Sequence, residues 1–337
     1  MVGTRVFRRT FAAGFVLIGI LVAVLWFVPS DHFIFLPDPA TPADGVVHVP
    51  GEETGTAESG SGIYFLEVQV RKASVLERIF PSVHEGASLV PEEVYNPERL
   101  SFEERREASL NEMSASQQVA IAVALRSLGY DVPEGGAEVV DVHSGFPASG
   151  KLEVGDVIVE ARGVPVDSPE ALAEAMQGVT PGERVRIRFL RSGTTRDLQL
   201  GTRKAPGDPS RAVFGIKVQP ELNFPVDVTI DAGNVGGPSA GLAFALDVVD
   251  ELGEDIDRGR RIAVTGELNL DGTVDPIGGV KQKTFGAREA GASVLIVPKE
   301  NAAEERTRRP YRRETSDRAC FPGSRRAPRA GRSSRRR

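Results

Sequence analysis

Residues 226–252 read VDVTIDAGNVGGPSAGLAFALDVVDEL, and the chemistry of the chain depends on how this stretch folds. Its first ten residues alternate as a strand, and the next seventeen turn sharply into a helix: Pro238 suits a first helical position, and Leu242, Ala245, Leu246 and Val249 recur at helical spacing. Ser239 falls at the turn. Free backbone N–H groups and the positive end of a helix dipole surround such a position, which favours a developing oxyanion. A serine in a glycine-rich turn is common, however, so the reading rests on whether the chain supplies a base.

A nucleophilic serine needs a proton acceptor within hydrogen-bond reach. Residues 212–305 hold no histidine; His32, His48, His84 and His143 lie elsewhere, and the one cysteine, Cys320, is near the C-terminus. Lysines remain: Lys217, Lys281, Lys283 and Lys299. Two of them sit in PIGGVKQKTFGAREAGA, residues 276–292, where a glycine pair precedes a helical pattern. A lysine acting as base at neutral pH must lose about two to three units from its usual pKa, which burial against apolar walls can supply. Lys281 and Lys283 are two apart and point in different directions on a helix, so periodicity leaves both open.

Three motifs in order then carry a resemblance: PSAG at 238–241, TGELNLDGTVDPIGGVKQK at 265–283 and VLIVPKEN at 294–301. Together they resemble the proteolytic domain of Lon-type serine proteases. The resemblance implies a Ser-Lys dyad of Ser239 and Lys283, with Thr265 orienting the amine and backbone N–H groups around Gly237 to Ala240 holding the oxyanion. Cytosolic Lon enzymes usually carry an aspartate where Gly236 stands, and an ATPase module that these residues do not contain.

Upstream, residues 128–203 are compact and β-rich. Strands are expected over AEVVDVH, DVIVEARGVPV and RVRIRFLR, interrupted by a helix with Ser168 as cap, Pro169 at its first position and Gly178 at its end. VVDVHSGFPASGKLEVGDVIVEARGVPVDSPEALAEAM and PGERVRIRFLRSG resemble a bacterial protease-associated PDZ domain. That implies binding of an extended peptide at a sheet edge, with a carboxylate loop aligned to residues 128–132, where Gly129, Tyr130 and Val132 are the expected contacts. GFPASGKL at 145–152 also matches a phosphate-binding loop up to its lysine. Leu152 replaces the magnesium-binding hydroxyl, and strand residues follow where a helix is required, so no ATP site is expected.

At the N-terminus, residues 1–10 carry Arg5, Arg8 and Arg9. The uncharged run 11–28 would be about 27 Å long as a helix, enough to cross a bilayer. The basic side places the N-terminus in the cytoplasm and the body outside, as a single-pass protein of the cell membrane. Residues 29–127 read as a juxtamembrane linker with a small β element, a strand at Ile63 to Val70, and helical segments at 98–113 and from Ser116, with Ser114 or Ser116 as cap.

Residues 306–337 hold thirteen arginines against two acids, a charge of +11; the net charge of −6 therefore leaves −17 on residues 1–305. The acidic body is not expected to bind nucleic acid. The tail reads as disordered and, given its break in character, as an out-of-frame end.

The expected architecture is α/β (α+β): a transmembrane helix, a PDZ-like domain, a Lon-type domain over 212–305 that is incomplete, and a basic tail. A glycine at 236, a PDZ-like domain and an anchor together resemble the membrane-anchored PDZ–Lon family of bacteria. The resemblance implies an ATP-independent serine endopeptidase acting on extracytoplasmic proteins or peptides, assembling as a homo-oligomer, with no cofactor and no metal. The competing reading is a peptide-binding membrane scaffold whose protease domain is inactive.

Overall fold

The computed structural model describes residues 16–49, 60–97, 99–253 and 255–302, with the backbone of 312–316. The described residues form two units, one from residues up to Ala120 and from Thr229 onward, the other from Ile121–Val228.

The first unit is built on a parallel sheet. Gly62–Phe65 and Val294–Pro298 flank Arg261–Val264, in the register Ile63↔Ile262↔Val294. The near-continuous apolar runs IYF, IAV and VLIV suit strands covered on both faces. Gly241–Glu251, the helix after Ser239, buries Phe244 completely, and its ring lies 5.3 Å from that of Phe65. Val280–Glu289, the helix carrying Lys283, is the crossover between Arg261–Val264 and Val294–Pro298. A second, antiparallel sheet has the order Val68–Ser74, Pro29–Pro37, Ser88–Pro91.

Residues 29–127 are therefore not a linker, because they supply strands to both sheets. Gly62–Phe65 finds its partner at Arg261–Val264, a pairing no local pattern encodes. The expected single strand at 63–70 is interrupted after Phe65, and its two halves serve different sheets. The two expected helical segments are one helix, Phe102–Ser127. It starts in a capping box in which the Ser101 N–H donates to Glu104 and the Glu104 N–H donates to Ser101 Oγ, so neither Ser114 nor Ser116 is a cap. Of the expected strand at 226–235, only Thr229–Ile230 is a strand. In the tail, Arg312–Ser316 runs parallel to Val294–Pro298 as a further strand of this sheet and departs there from the expected disorder; the rest of 306–337 lies outside the described residues.

Residues 16–27 are helical, with exposed apolar side chains including Leu17, Ile18 and Ile20. Residues 11–15 of the expected span lie outside the described residues, and among the described residues no helix is long and apolar enough to cross a membrane.

The second unit is an antiparallel sheet in the order Thr194–Gly201, Arg184–Arg191, Val157–Ala161, Glu134–Val142, Ile216–Leu222. Its core includes Val139, Ile158, Ile187 and Leu200, all fully buried. Ser168 caps the helix Pro169–Ala175 as expected, accepting from the Ala171 N–H. Ile216–Leu222 pairs with Glu134–Val142, so these residues, placed in the proteolytic segment by the expected boundary at 212, belong to this sheet. GFPASGKL forms turns here, with the Ala148 N–H donating to the Phe214 carbonyl and Leu152 buried in the core.

Candidate active site

The parallel strands aim the site. Thr265 follows Val264 directly at the carboxyl end of the central strand, and Glu67 lies just past the carboxyl end of its neighbour. Ser239 lies in the 3-10 turn Pro238–Ala240 that opens the following helix. Gly279, at φ +70°, takes the left-handed backbone that starts the lysine helix, and the Lys283 N–H then donates to its carbonyl.

These elements bring together what the sequence holds apart. Lys283 Nζ lies 2.7 Å from Ser239 Oγ and 2.9 Å from Thr265 Oγ1. Thr265 is fully buried and its hydroxyl donates to the Ser239 carbonyl at 2.9 Å, so Oγ1 accepts an N–H from Lys283. With that N–H engaged, the neutral amine can turn its lone pair toward the serine hydroxyl, 2.7 Å away. Thr265→Val removes the acceptor while keeping the shape, and kcat should fall about 10- to 100-fold with KM nearly unchanged, as single-turnover kinetics would show.

Lys283 is 3% exposed, and burial pushes its pKa down to about 7, opposed in part by the negative charge of Glu67. At neutral pH a large share of the amine is therefore unprotonated. Burial, with Asp38 nearby, raises the carboxyl pKa of Glu67 itself. Glu67→Gln removes the charge that favours the ammonium. The acidic limb of the pH–rate profile should move to lower pH, and an unmoved limb would show that Glu67 does not act on Lys283.

The alternative lysine is accounted for. Lys281 Nζ donates to the Ala87 carbonyl at 2.6 Å, and Gln282 Nε2 donates to the Gly86 carbonyl and Ser88 Oγ. Both side chains tie the helix to the neighbouring segment and leave Lys283 to face the serine.

Of the N–H groups expected to hold the oxyanion, that of Ser239 fits, since it lies in the first positions of the 3-10 turn and has no acceptor within it, whereas the i→i+3 bonding of the turn engages the Ala240 N–H with the Gly237 carbonyl. The Gly237 N–H does not fit, because it donates to the Ser109 carbonyl at 2.8 Å. Ser109 and Ser116, seven apart on one face of Phe102–Ser127, hold the nucleophile turn; Ser116 Oγ donates to the Pro238 carbonyl at 3.0 Å. Only Ser116 acts through its side chain; Ser109 acts through its main-chain carbonyl, which any residue supplies, so the sequence does not mark it. A Cβ at Gly236 would meet the Ser109 side chain, so a larger residue there requires Ser109 to shift. The dyad opens on a cavity of about 320 Å³ lined also by Leu66, Glu67, Val68, Met113 and Asn234.

With this geometry in view, residues 212–309 match the family model of the Lon protease (S16) C-terminal proteolytic domain. This segment is similar to Lon-type proteolytic domains. Residues 105–202 match a PDZ domain model. Curated relatives of the Lon-type segment include the Lon protease of Rickettsia bellii, 39% identical over 98 residues, which are 28% of this chain and 12% of that protein. Lon protease 2 of Thermus thermophilus is 42% identical over 90 residues, 26% of this chain and 11% of that protein. The matches thus span about one-eighth of the length of those relatives. Among solved structures, the PDZ domain of the SdrC-like protein of Listeria monocytogenes matches with a TM-score of 0.25 and 20% identity, over 26% of this chain and 93% of that chain. The structure places part of the Lon-type domain outside the matched residues, since Gly62–Phe65 lies in its central sheet.

In the PDZ-like unit, the expected carboxylate loop is used otherwise. The N–H groups of Gly129 and Tyr130 donate to the carbonyls of Arg126 and Leu125 and close the helix, and Val132 is 3% exposed. The groove lies instead between Pro169–Ala175 and the edge strand Ile216–Leu222. It is a cavity of about 610 Å³ lined by Leu172, Met176, Val213, Phe214 and Ile216. Gly215, at φ +83°, sits in the loop that enters that strand, and VFGI is the local signal for it.

Proposed function

We propose that the chain is a serine endopeptidase in which neutral Lys283 takes the Ser239 proton and the alkoxide attacks a peptide carbonyl. The oxyanion is held at the start of this turn, where the Ser239 N–H is free. The Lys283 ammonium returns the proton to the leaving amine, and water then releases the acyl-enzyme. The observation that carries this reading is a lysine amine 3% exposed, with its pKa lowered to about 7, 2.7 Å from the serine hydroxyl. The reaction needs no nucleotide. The PDZ-like unit selects or admits substrates by adding an extended peptide to Ile216–Leu222 beside Pro169–Ala175.

Residues 11–28 anchor the chain in the cell membrane, with the body and its protein substrates on the extracytoplasmic side and the enzyme assembled as a homo-oligomer. Support for the anchor comes from the uncharged run and the arginines before it. Incubation of the purified chain with an unfolded exported protein, without ATP, tests the core of the proposal. Cleavage should occur and disappear in Ser239→Ala; cleavage that survives the substitution would remove the assignment. Carbonate-resistant membrane association, lost when residues 1–28 are deleted, tests the anchor.

A further inference from the structure

A second cavity, of about 730 Å³, shares Val68, Asn234 and Gly236 with the cavity at the dyad, so the two are contiguous. Four cations line it: Arg71, Lys72, Arg105 and Arg106. Arg71 is bound by both oxygens of Glu77, and Lys72 by Glu92. The other two have no carboxylate partner among the described residues. Arg106 donates to the neutral Asn234 Oδ1 at 2.9 Å. The Arg105 guanidinium lies 4.9 Å from the Phe33 ring centre and 5.0 Å from that of Tyr95, and its Nε is buried without a hydrogen-bond partner. Ring faces stabilise the charge but accept none of its N–H groups in full, and a buried donor left unmade is costly.

We infer that this cavity is the subsite for a carboxylate of the peptide substrate, with Arg105 as the group that holds it and Arg106 beside it. The inference rests on the endopeptidase reading and adds a substrate class to it, peptides acidic at one side of the cleavage site. Val68–Ser74 is at an edge of its sheet among the described residues, and it runs from the dyad cavity toward this one. At about 3.3 Å per residue, the path from Val68 to Lys72 places the carboxylate roughly three to five residues from the scissile bond. A planar guanidinium held against two rings that themselves pack 4.5 Å apart is already oriented, so little entropy is lost when the carboxylate docks.

The test uses the full chain carrying Ser239→Ala and short labelled peptides that differ only in Glu or Gln at one position, scanned along the sequence. At one position the Glu peptide should bind about tenfold or more tighter than its Gln twin. The ratio should fall to about one with Arg105→Met added, and Arg105→Lys should restore part of it. Twins ending in a free acid or an amide separate a side-chain carboxylate from a chain terminus, and a preference following either one supports the subsite. Equal affinity of every Glu and Gln pair, and of every acid and amide pair, overturns it, and this outcome depends on no substitution at Arg105. Wild-type cleavage of the same peptides is read separately. No cleavage with the binding preference intact would remove the endopeptidase reading and leave the subsite standing.

Discussion

Lys283→Met abolishes peptide cleavage, with kcat/KM down about 10²- to 10⁴-fold, and makes the protein more stable. The two effects share one cause. In the folded chain the amine is 3% exposed with its pKa lowered from 10.5 to about 7. Between pH 7 and 10.5 the unfolded chain holds the proton and the folded chain does not, so this group makes stability rise with pH across that window. At and below pH 7 its cost is present, on the order of 4 kcal/mol at pH 7. Methionine fills a similar volume without the charge, so thermal denaturation at pH 7 should show a higher Tm for the variant, and the advantage should shrink as pH rises toward 10.5. A variant both inactive and less stable at pH 7 would indicate that Lys283 is held as a charged, structural group.

The second large effect belongs to Asp247, on the helix after Ser239. It is 2% exposed, its Oδ2 has no hydrogen-bond partner among the described residues, and burial, reinforced by Glu251, Asp44 and Asp250, pushes its pKa up to about 9. Between about pH 4 and 9 the folded chain keeps a proton that the unfolded chain has lost, so stability falls as pH rises, by about 1.4 kcal/mol per unit for one such group. Glu67, Asp250 and Glu267 also have raised carboxyl pKa values, so Asp247 is read from the difference between the variant and the wild type, between pH 5 and 7. Lys283 contributes little slope there, and Glu77, held down at about 2 chiefly by the Arg71 hydrogen bond, titrates well below. From pH 5 to 7, Asp247→Asn should gain on the wild type by about 3 kcal/mol in denaturant titrations. Parallel pH profiles for the two proteins would mean that Asp247 is ionised in the fold.

What the sequence made legible was local. Ser239, Thr265 and Lys283 stand in short blocks whose spacing survives in one dimension, and Ser168, Pro169 and the helix they start follow from capping chemistry alone. The ambiguity between Lys281 and Lys283 ends only in three dimensions, where the Ala87 carbonyl takes the first.

What was not legible depends on distant pairings. Gly62–Phe65 reads as a strand, but nothing near it names Arg261–Val264 as its partner. Gly237 appears free for an oxyanion until Ser109, on a helix far upstream, accepts its N–H. The PDZ resemblance aligns the carboxylate loop with residues 128–132, which include Gly129 and Tyr130. The strand that borders the groove instead comes last, at Ile216–Leu222, and brings its own Gly215 loop.

The central claim is that a neutral Lys283 activates Ser239. It is tested most directly by labelling the purified chain with a serine-directed fluorophosphonate, without nucleotide, across pH, and mapping the adduct by mass spectrometry. The adduct should lie on Ser239, its rate of formation should rise with pH through about 7, and Lys283→Met should suppress it. An adduct on another serine, or labelling of Ser239 that ignores both pH and the loss of Lys283, would contradict the claim.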